Sequence, residues 1–292
     1  MKSKLAIAVA LISIVSNATF AQKKRLTFIR QEQSIALSTG VNLKFMESGT
    51  SDGMPVIFLH GLSDSWHSFE KILPMLPTTL HAYAISQRGH GNSDKQASGY
   101  LPKDFAADVA AFVKQKHLGK VVVVGHSMGG MVAQQFAIDY PQLIKGLILI
   151  DTDASFGDNI VVQDFLKQTL SLENIDRKFM EDFQNSTLAN NIDPEYFETV
   201  VNEGMKTPVP VFKAALLGVM DVDLTSRLKE IQVPVLILWG EKDLICSIQD
   251  QYLLARHLKK SNFITYKQTG HALHWEQPEK FVHDLLTFVK GL

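Results

Sequence analysis

The chain has 292 residues, 46% of them apolar and 20% charged, so it can build a sizeable core and is not a disordered polymer. Its net charge is −1 with no long run of one sign, which gives no basis for a nucleic acid or an anionic membrane as partner. No internal repeat or low-complexity tract is visible.

Met1-Lys2-Ser3-Lys4 is a positive start, Leu5 to Val15 is a short apolar stretch, and Thr19-Phe20-Ala21 puts small residues at the two cleavage-determining positions. This predicts a secretory signal peptide over 1–21, a mature chain over 22–292, and a periplasmic or secreted bacterial protein. The apolar stretch is shorter than the roughly 20 residues that span a bilayer. An uncleaved anchor is the alternative. No cysteine follows the stretch, which argues against a lipidated N-terminus. The single cysteine, Cys246, rules out an intramolecular disulfide and reads as a small packed side chain.

Apolar strands are expected at 56–59, 82–85, 121–124, 147–150, 235–239 and 262–266, alternating with helical patterns. That alternation predicts an α/β fold with a mostly parallel central sheet and helices on both faces. Phe105, Val109, Phe112 and Val113 recur at helical spacing in a helix over 101–117, which Gly119 suits as a stop. The last helix, 278–289, carries Phe281, Leu285 and Phe288 on one stripe. From about 152 to 226 the alternation breaks. Asp193-Pro194-Glu195 looks like a helix start, and Pro208-Val209-Pro210 starts another amphipathic stretch. The segment reads as a helical cap inserted between two strands. Phe156, Phe165, Phe179, Met180, Phe183, Tyr196, Phe197 and Met205 give it a large apolar stock, some of which should line a pocket.

The chemistry centres on Gly125-His126-Ser127-Met128-Gly129. It follows the buried run Val121 to Val124 and precedes a helical stretch. Strand, G-x-S-x-G, helix is the setting of a nucleophile elbow, a sharp turn that needs small neighbours and projects the serine hydroxyl. A serine needs a base to take its proton and an acid to hold that base. Asp243 lies in a polar turn after the strand at 235–239, and His271 in a loop after the strand at 262–266. The chain order is therefore Ser127, Asp243, His271. Asp151 and Asp153, after the strand at 147–150, compete for the acid's role. His60, His90 and His126 lie at strand ends, but no metal-binding spacing is present, so neither a metal nor a cofactor is implied. His60 and His126 read as hydrogen-bonded supports.

Four blocks resemble the α/β-hydrolase superfamily: His60-Gly61-Leu62, Arg88-Gly89-His90-Gly91-Asn92-Ser93, the elbow at Ser127, and Gly270-His271 through Pro278. They look most like its small esterases, perhydrolases and ring-cleavage-product hydrolases, and the resemblance runs from about residue 40 to the end. It implies an antiparallel edge strand near 41–46 and a cap over the serine. It also implies an oxyanion hole from the backbone N–H groups of Leu62 and Met128. Trp66, His126 and Phe156 are the substrate-pocket candidates. Gln87 departs from the pattern, which usually has Asp there, and leaves the ion pairing of that loop open. The resemblance implies an exported serine hydrolase of small to medium carboxylic esters, or lactones, acting on a small molecule. Two alternatives share the triad: a carbon–carbon bond hydrolase of ring-fission diketones and a slow-turnover ligand sensor.

Overall fold

A computed structural model describes residues 31–292. The expected signal peptide lies outside them. The chain forms β1 (Gln33–Ala36), β2 (Asn42–Gly49), β3 (Met54–Leu59), β4 (Leu80–Ser86), α1 (Pro102–Gln115), β5 (Val121–His126), α2 (Met128–Asp139) and β6 (Ile144–Ile150). Then come α3 (Ile160–Leu170), α4 (Arg177–Ser186), α5 (Pro194–Gly204), α6 (Val209–Met220), β7 (Val235–Gly240), α7 (Ile248–His257), β8 (Ser261–Tyr266), α8 (Leu273–Glu276) and α9 (Pro278–Lys290). The eight strands make one sheet in the order β1-β2-β4-β3-β5-β6-β7-β8.

From β4 to β8 every pairing is parallel. Parallel strands are covered on both faces, which is why these segments read as unbroken apolar runs. Alternate residues feed different cores. Ile57, Leu59, Val121 and Val123 pack with α1 and α2 on one face. Val56, Phe58, Val122 and Val124 pack with Phe281 and Leu285 of α9 on the other.

The antiparallel strand expected near 41–46 is β2, but it is not the edge. β1 pairs antiparallel outside it. Gln-Ser-Ile-Ala is too short and too polar to show a strand period, and short edge strands resist unwanted pairing. α1 ends two residues earlier than expected, because His117 already takes a left-handed φ of 54° ahead of Gly119.

The chain departs from β3 toward β4 on one side of the sheet and from β5 toward β6 on the other. The loops after β3 and β5 therefore flank a topological switch point, where such folds place ligands. α3 to α6 lie between β6 and β7, and the lone antiparallel bridge Ser155↔Asp223 joins the two ends of that segment. Its interior is aromatic. Phe165 stacks on Phe183 at 5.1 Å, and Phe212 meets both edge-on. The hydroxyl of Tyr196 donates to the carbonyl of Ser68 at 3.0 Å, tying α5 to the loop after β3.

The ion pairing that Gln87 left open is supplied from α1. Arg88 Nε and Nη2 each donate at 2.6 Å to the buried carboxylate of Asp108. Removing one partner of such a pair strands the other charge. Asp108→Ala should lower the unfolding free energy by about 3–5 kcal/mol in urea titrations. An unchanged midpoint would show that the pair does not hold the loop.

Candidate active site

Ser127 stands between β5 and α2 with φ 51° and ψ −120°, a backbone conformation that side chains rarely adopt. The strain is held from both sides. Its N–H donates to Ile150 O at 3.0 Å, and Thr152 Oγ1 donates to its carbonyl at 2.7 Å. The glycines around it are needed for room. A Cβ on Gly125 would come within 2.3 Å of Gly129 O, and one on Gly129 within 2.4 Å of Leu59 O.

β7 and β8 are neighbours, so the loops that follow them meet at one end of the sheet. His271 Nδ1 lies 2.9 Å from Asp243 Oδ2, and both side chains are buried. Asp243 Oδ1 accepts from Ile245 N at 2.7 Å and Cys246 N at 3.1 Å, which fixes the carboxylate's direction. A carboxylate only accepts, so Nδ1 carries the imidazole hydrogen and Nε2 is left with a free lone pair. The segment between β6 and β7 also buttresses this loop. Ala272 N donates to Thr187 O, and Glu276 Oε1 accepts from both Ala189 N and Gly270 N.

The competing acids are engaged elsewhere. Asp151 Oδ1 accepts from Gly240 N at 2.7 Å. Burial and then the charge of Asp243 hold Asp151 well above the usual carboxylate range. Asp153 is also pushed up, by burial and then by Asp250 and Asp243.

Ser127 and His271 line one cavity of ≈ 800 Å³, its open mouth included. Leu62, Met128, His126 and Phe156 line it too. Met128 is the first residue of α2, where backbone N–H groups have no intrahelical partner. The loop carrying Leu62 is fixed by His60, whose Nε2 accepts from Gln87 N at 2.9 Å while Nδ1 lies 2.7 Å from Gly61 O. Gln87 itself donates to His60 O at 2.8 Å, so the departure at this position adds a neutral support. Burial, then neighbouring His90, keeps His60 well below its ordinary pKa and hence neutral, as that bonding requires.

Trp66 does not line the cavity. It belongs to the core on the other face of the sheet, stacks on His67 at 3.7 Å and donates its indole N–H to Glu32 at 2.8 Å. A residue in a 3₁₀ turn has no period from which to read its face. Asp64 and Gln184 are among the cavity residues that the sequence reading misses. Asp64 lies three residues past Gly61 and so had a positional cue, whereas Gln184 reads as an ordinary helix-surface residue.

Among the described residues, Asp243, Cys246 and His271 bring ligand-type atoms within 4.8 Å of one another. Their donor set does not suit a metal. Asp243 is spent on His271 and two N–H groups, and Cys246 Sγ donates to Asp151 O at 3.3 Å. Burial and the nearby carboxylates push that thiol well up, away from the thiolate a metal needs.

The sequence pattern of the α/β hydrolase fold family matches residues 54–278. The chain is 27% identical over 286 residues to the non-heme chloroperoxidase of Streptomyces lividans, a match covering 88% of this chain and 99% of that protein. An esterase from Exiguobacterium antarcticum superposes with a TM-score of 0.80 at 22% identity, covering 89% of this chain and 100% of that one, a likeness of fold alone. An N-acyl homoserine lactone degrading enzyme superposes with a TM-score of 0.76 at 26% identity, covering 88% and 100%.

Proposed function

The chain belongs to the α/β hydrolase fold family, and on that footing we propose that it is a serine hydrolase of small to medium carboxylic esters, lactones among them. One observation carries the reading. Ser127, on its strained elbow, opens onto the same cavity as an imidazole whose far nitrogen is bonded to a buried carboxylate.

Ser127 Oγ attacks the carbonyl carbon while His271 Nε2 takes its proton. The N–H groups of Leu62 and Met128 hold the oxygen as it becomes negative. His271 then protonates the leaving alcohol, and the C–O bond breaks to give an acyl-enzyme. Water repeats the sequence and frees the acid. Asp243 keeps the productive tautomer and stabilises the imidazolium. Export under a signal peptide over 1–21 is part of the same proposal. No helix of the described residues is long and apolar enough to cross a membrane.

The test is a panel of p-nitrophenyl esters from acetate to palmitate, several lactones and one ring-fission diketone. Steady turnover of esters or lactones supports the proposal. Turnover of the diketone alone would move the protein to carbon–carbon hydrolysis. Tight binding with almost no steady-state rate would make it a sensor. For export, expression with the leader in a Gram-negative host should give periplasmic protein beginning at Gln22. Intact mass spectrometry that finds residues 1–21 still attached would refute cleavage.

A further inference from the structure

One corner of the cavity is polar, on a wall that the proposed triad does not use. Gly61 leaves a notch there. A Cβ on it would stand 3.0 Å from His126 Nδ1 and 3.2 Å from Asp64 Oδ2. Those two atoms are 3.9 Å apart, too far to bond to each other. His126 and Asp64 are each only 3% exposed.

Both atoms are acceptors. His126 Nε2 lies 3.1 Å from the carbonyl oxygen of His271, which can only accept, so Nε2 carries the ring hydrogen. Burial, then neighbouring His274 and His271, holds His126 well below its ordinary pKa, so the ring is neutral. Nδ1 is left as a bare lone pair with no partner among the described residues. Asp64 Oδ1 accepts from Gln184 Nε2 at 3.1 Å, Oδ2 has a long contact of 3.5 Å with Ser68 Oγ, and the Gly61 backbone also bonds the carboxylate, so Nδ1 is the unmet acceptor of the two. A buried acceptor left unmet is costly, and a ligand that supplies its hydrogen gains accordingly.

We propose that the notch between His126 Nδ1 and Asp64 Oδ2 is a recognition subsite for a hydroxyl or amide N–H on the substrate. The preferred esters then carry such a donor a few bonds from the attacked carbonyl. The identity of the attacked group rests on the serine-hydrolase reading above; the subsite itself does not. Much of the remaining lining is apolar, with Phe156, Val162, Phe165, Leu216 and Val219, so a donor placed at this corner has few competing polar partners.

The subsite also has a pH signature. Burial raises the Asp64 carboxyl to about 7, against the opposing bonds from Gln184 and the Gly61 backbone and the influence of His271. Of the other titratable groups facing it, His126, His274 and Tyr196 are held neutral by burial. Below that pH, the acid is neutral and Oδ2 no longer offers a charged acceptor. Above it, the notch presents two acceptors, one of them charged, and charge-assisted bonds are the stronger kind. Preference for a donor should therefore rise with pH through about 7. Any pH effect on the shared chemical step acts on both members of a pair and cancels in their ratio.

Two matched pairs of methyl esters test this. N-acetylglycinate and 4-oxopentanoate differ by N–H against CH₂. 3-Hydroxybutanoate and 3-methylbutanoate differ by hydroxyl against methyl. The readouts are the kcat/KM ratio within each pair, normalised to hydroxide-catalysed rates, and calorimetric binding of the same esters to Ser127→Ala. The donor member should be favoured on the order of tenfold at pH 8 in at least one pair, and several-fold less at pH 6. Asp64→Asn should bring the ratio toward one, because the neutral amide removes the charged acceptor from the notch. Ratios near one at both pH values, or a preference untouched in folded Asp64→Asn, would overturn the subsite and leave the notch to a water molecule. Should that variant not fold, the wild-type pH dependence decides. Selective binding to Ser127→Ala with no turnover of any ester by wild type would instead sink the ester-hydrolase reading and leave the subsite standing.

Discussion

Ser127→Ala should fold like wild type and lose on the order of 10⁶ in turnover. The hydroxyl makes no hydrogen bond that the fold depends on. The bonds that hold the elbow use the backbone of Ser127, through Ile150 O and Thr152 Oγ1, and alanine keeps them. Thermal unfolding should therefore move little. A fluorophosphonate probe should label wild type and leave the variant unlabelled, since the probe needs an activated oxygen nucleophile. Labelling that survives the substitution would place the nucleophile elsewhere. Loss of both activity and fold would show that the hydroxyl is structural.

The elbow was legible in the sequence for the reason that makes it strained. A turn this tight requires glycines at fixed offsets and an apolar strand before it, and all of these are contiguous. The same holds for the loops carrying Gly61 and His271 and for the parallel strands buried on both faces. What could not be read is what depends on contacts between distant segments. Gln184 reaches Asp64 across 120 positions, from α4 into the loop after β3. A glutamine on an amphipathic helix gives no hint that its amide is buried. Trp66 failed for a related reason: an aromatic shortly after a functional loop is as well placed to fill the core behind it as to line the pocket before it. β1 has four residues and half of them exposed, so it carries no period. Arg88 was seen as part of a motif, but its partner Asp108 lies in the middle of a helix whose apolar stripe dominated the pattern.

Asp243→Asn should keep the fold and lose roughly 10⁴ in turnover. The amide that replaces Oδ2 can present N–H to His271 Nδ1, which favours the tautomer with Nε2 protonated and unable to take the serine proton. Asp151→Asn should cost tenfold or less, although Asp151 is buried beside Asp243. The reason is charge. Two carboxylates this close cannot both ionise cheaply, and of the pair it is Asp151 that is pushed toward the neutral acid. Its Oδ2 has no hydrogen-bond partner among the described residues, so no donor there favours the charged form. Its Oδ1 accepts from Gly240 N, a role the asparagine oxygen can take over. Asp153→Asn should be as mild, since Asp153 faces Gln251 and Asn159 rather than the imidazole. The measurement is kcat for the three variants on one activated ester, with circular dichroism to check the fold. If Asp151→Asn or Asp153→Asn lost four orders of magnitude while Asp243→Asn stayed near wild type, the acid would have to be reassigned to the end of β6, and the 2.9 Å contact between His271 and Asp243 would be a resting arrangement only.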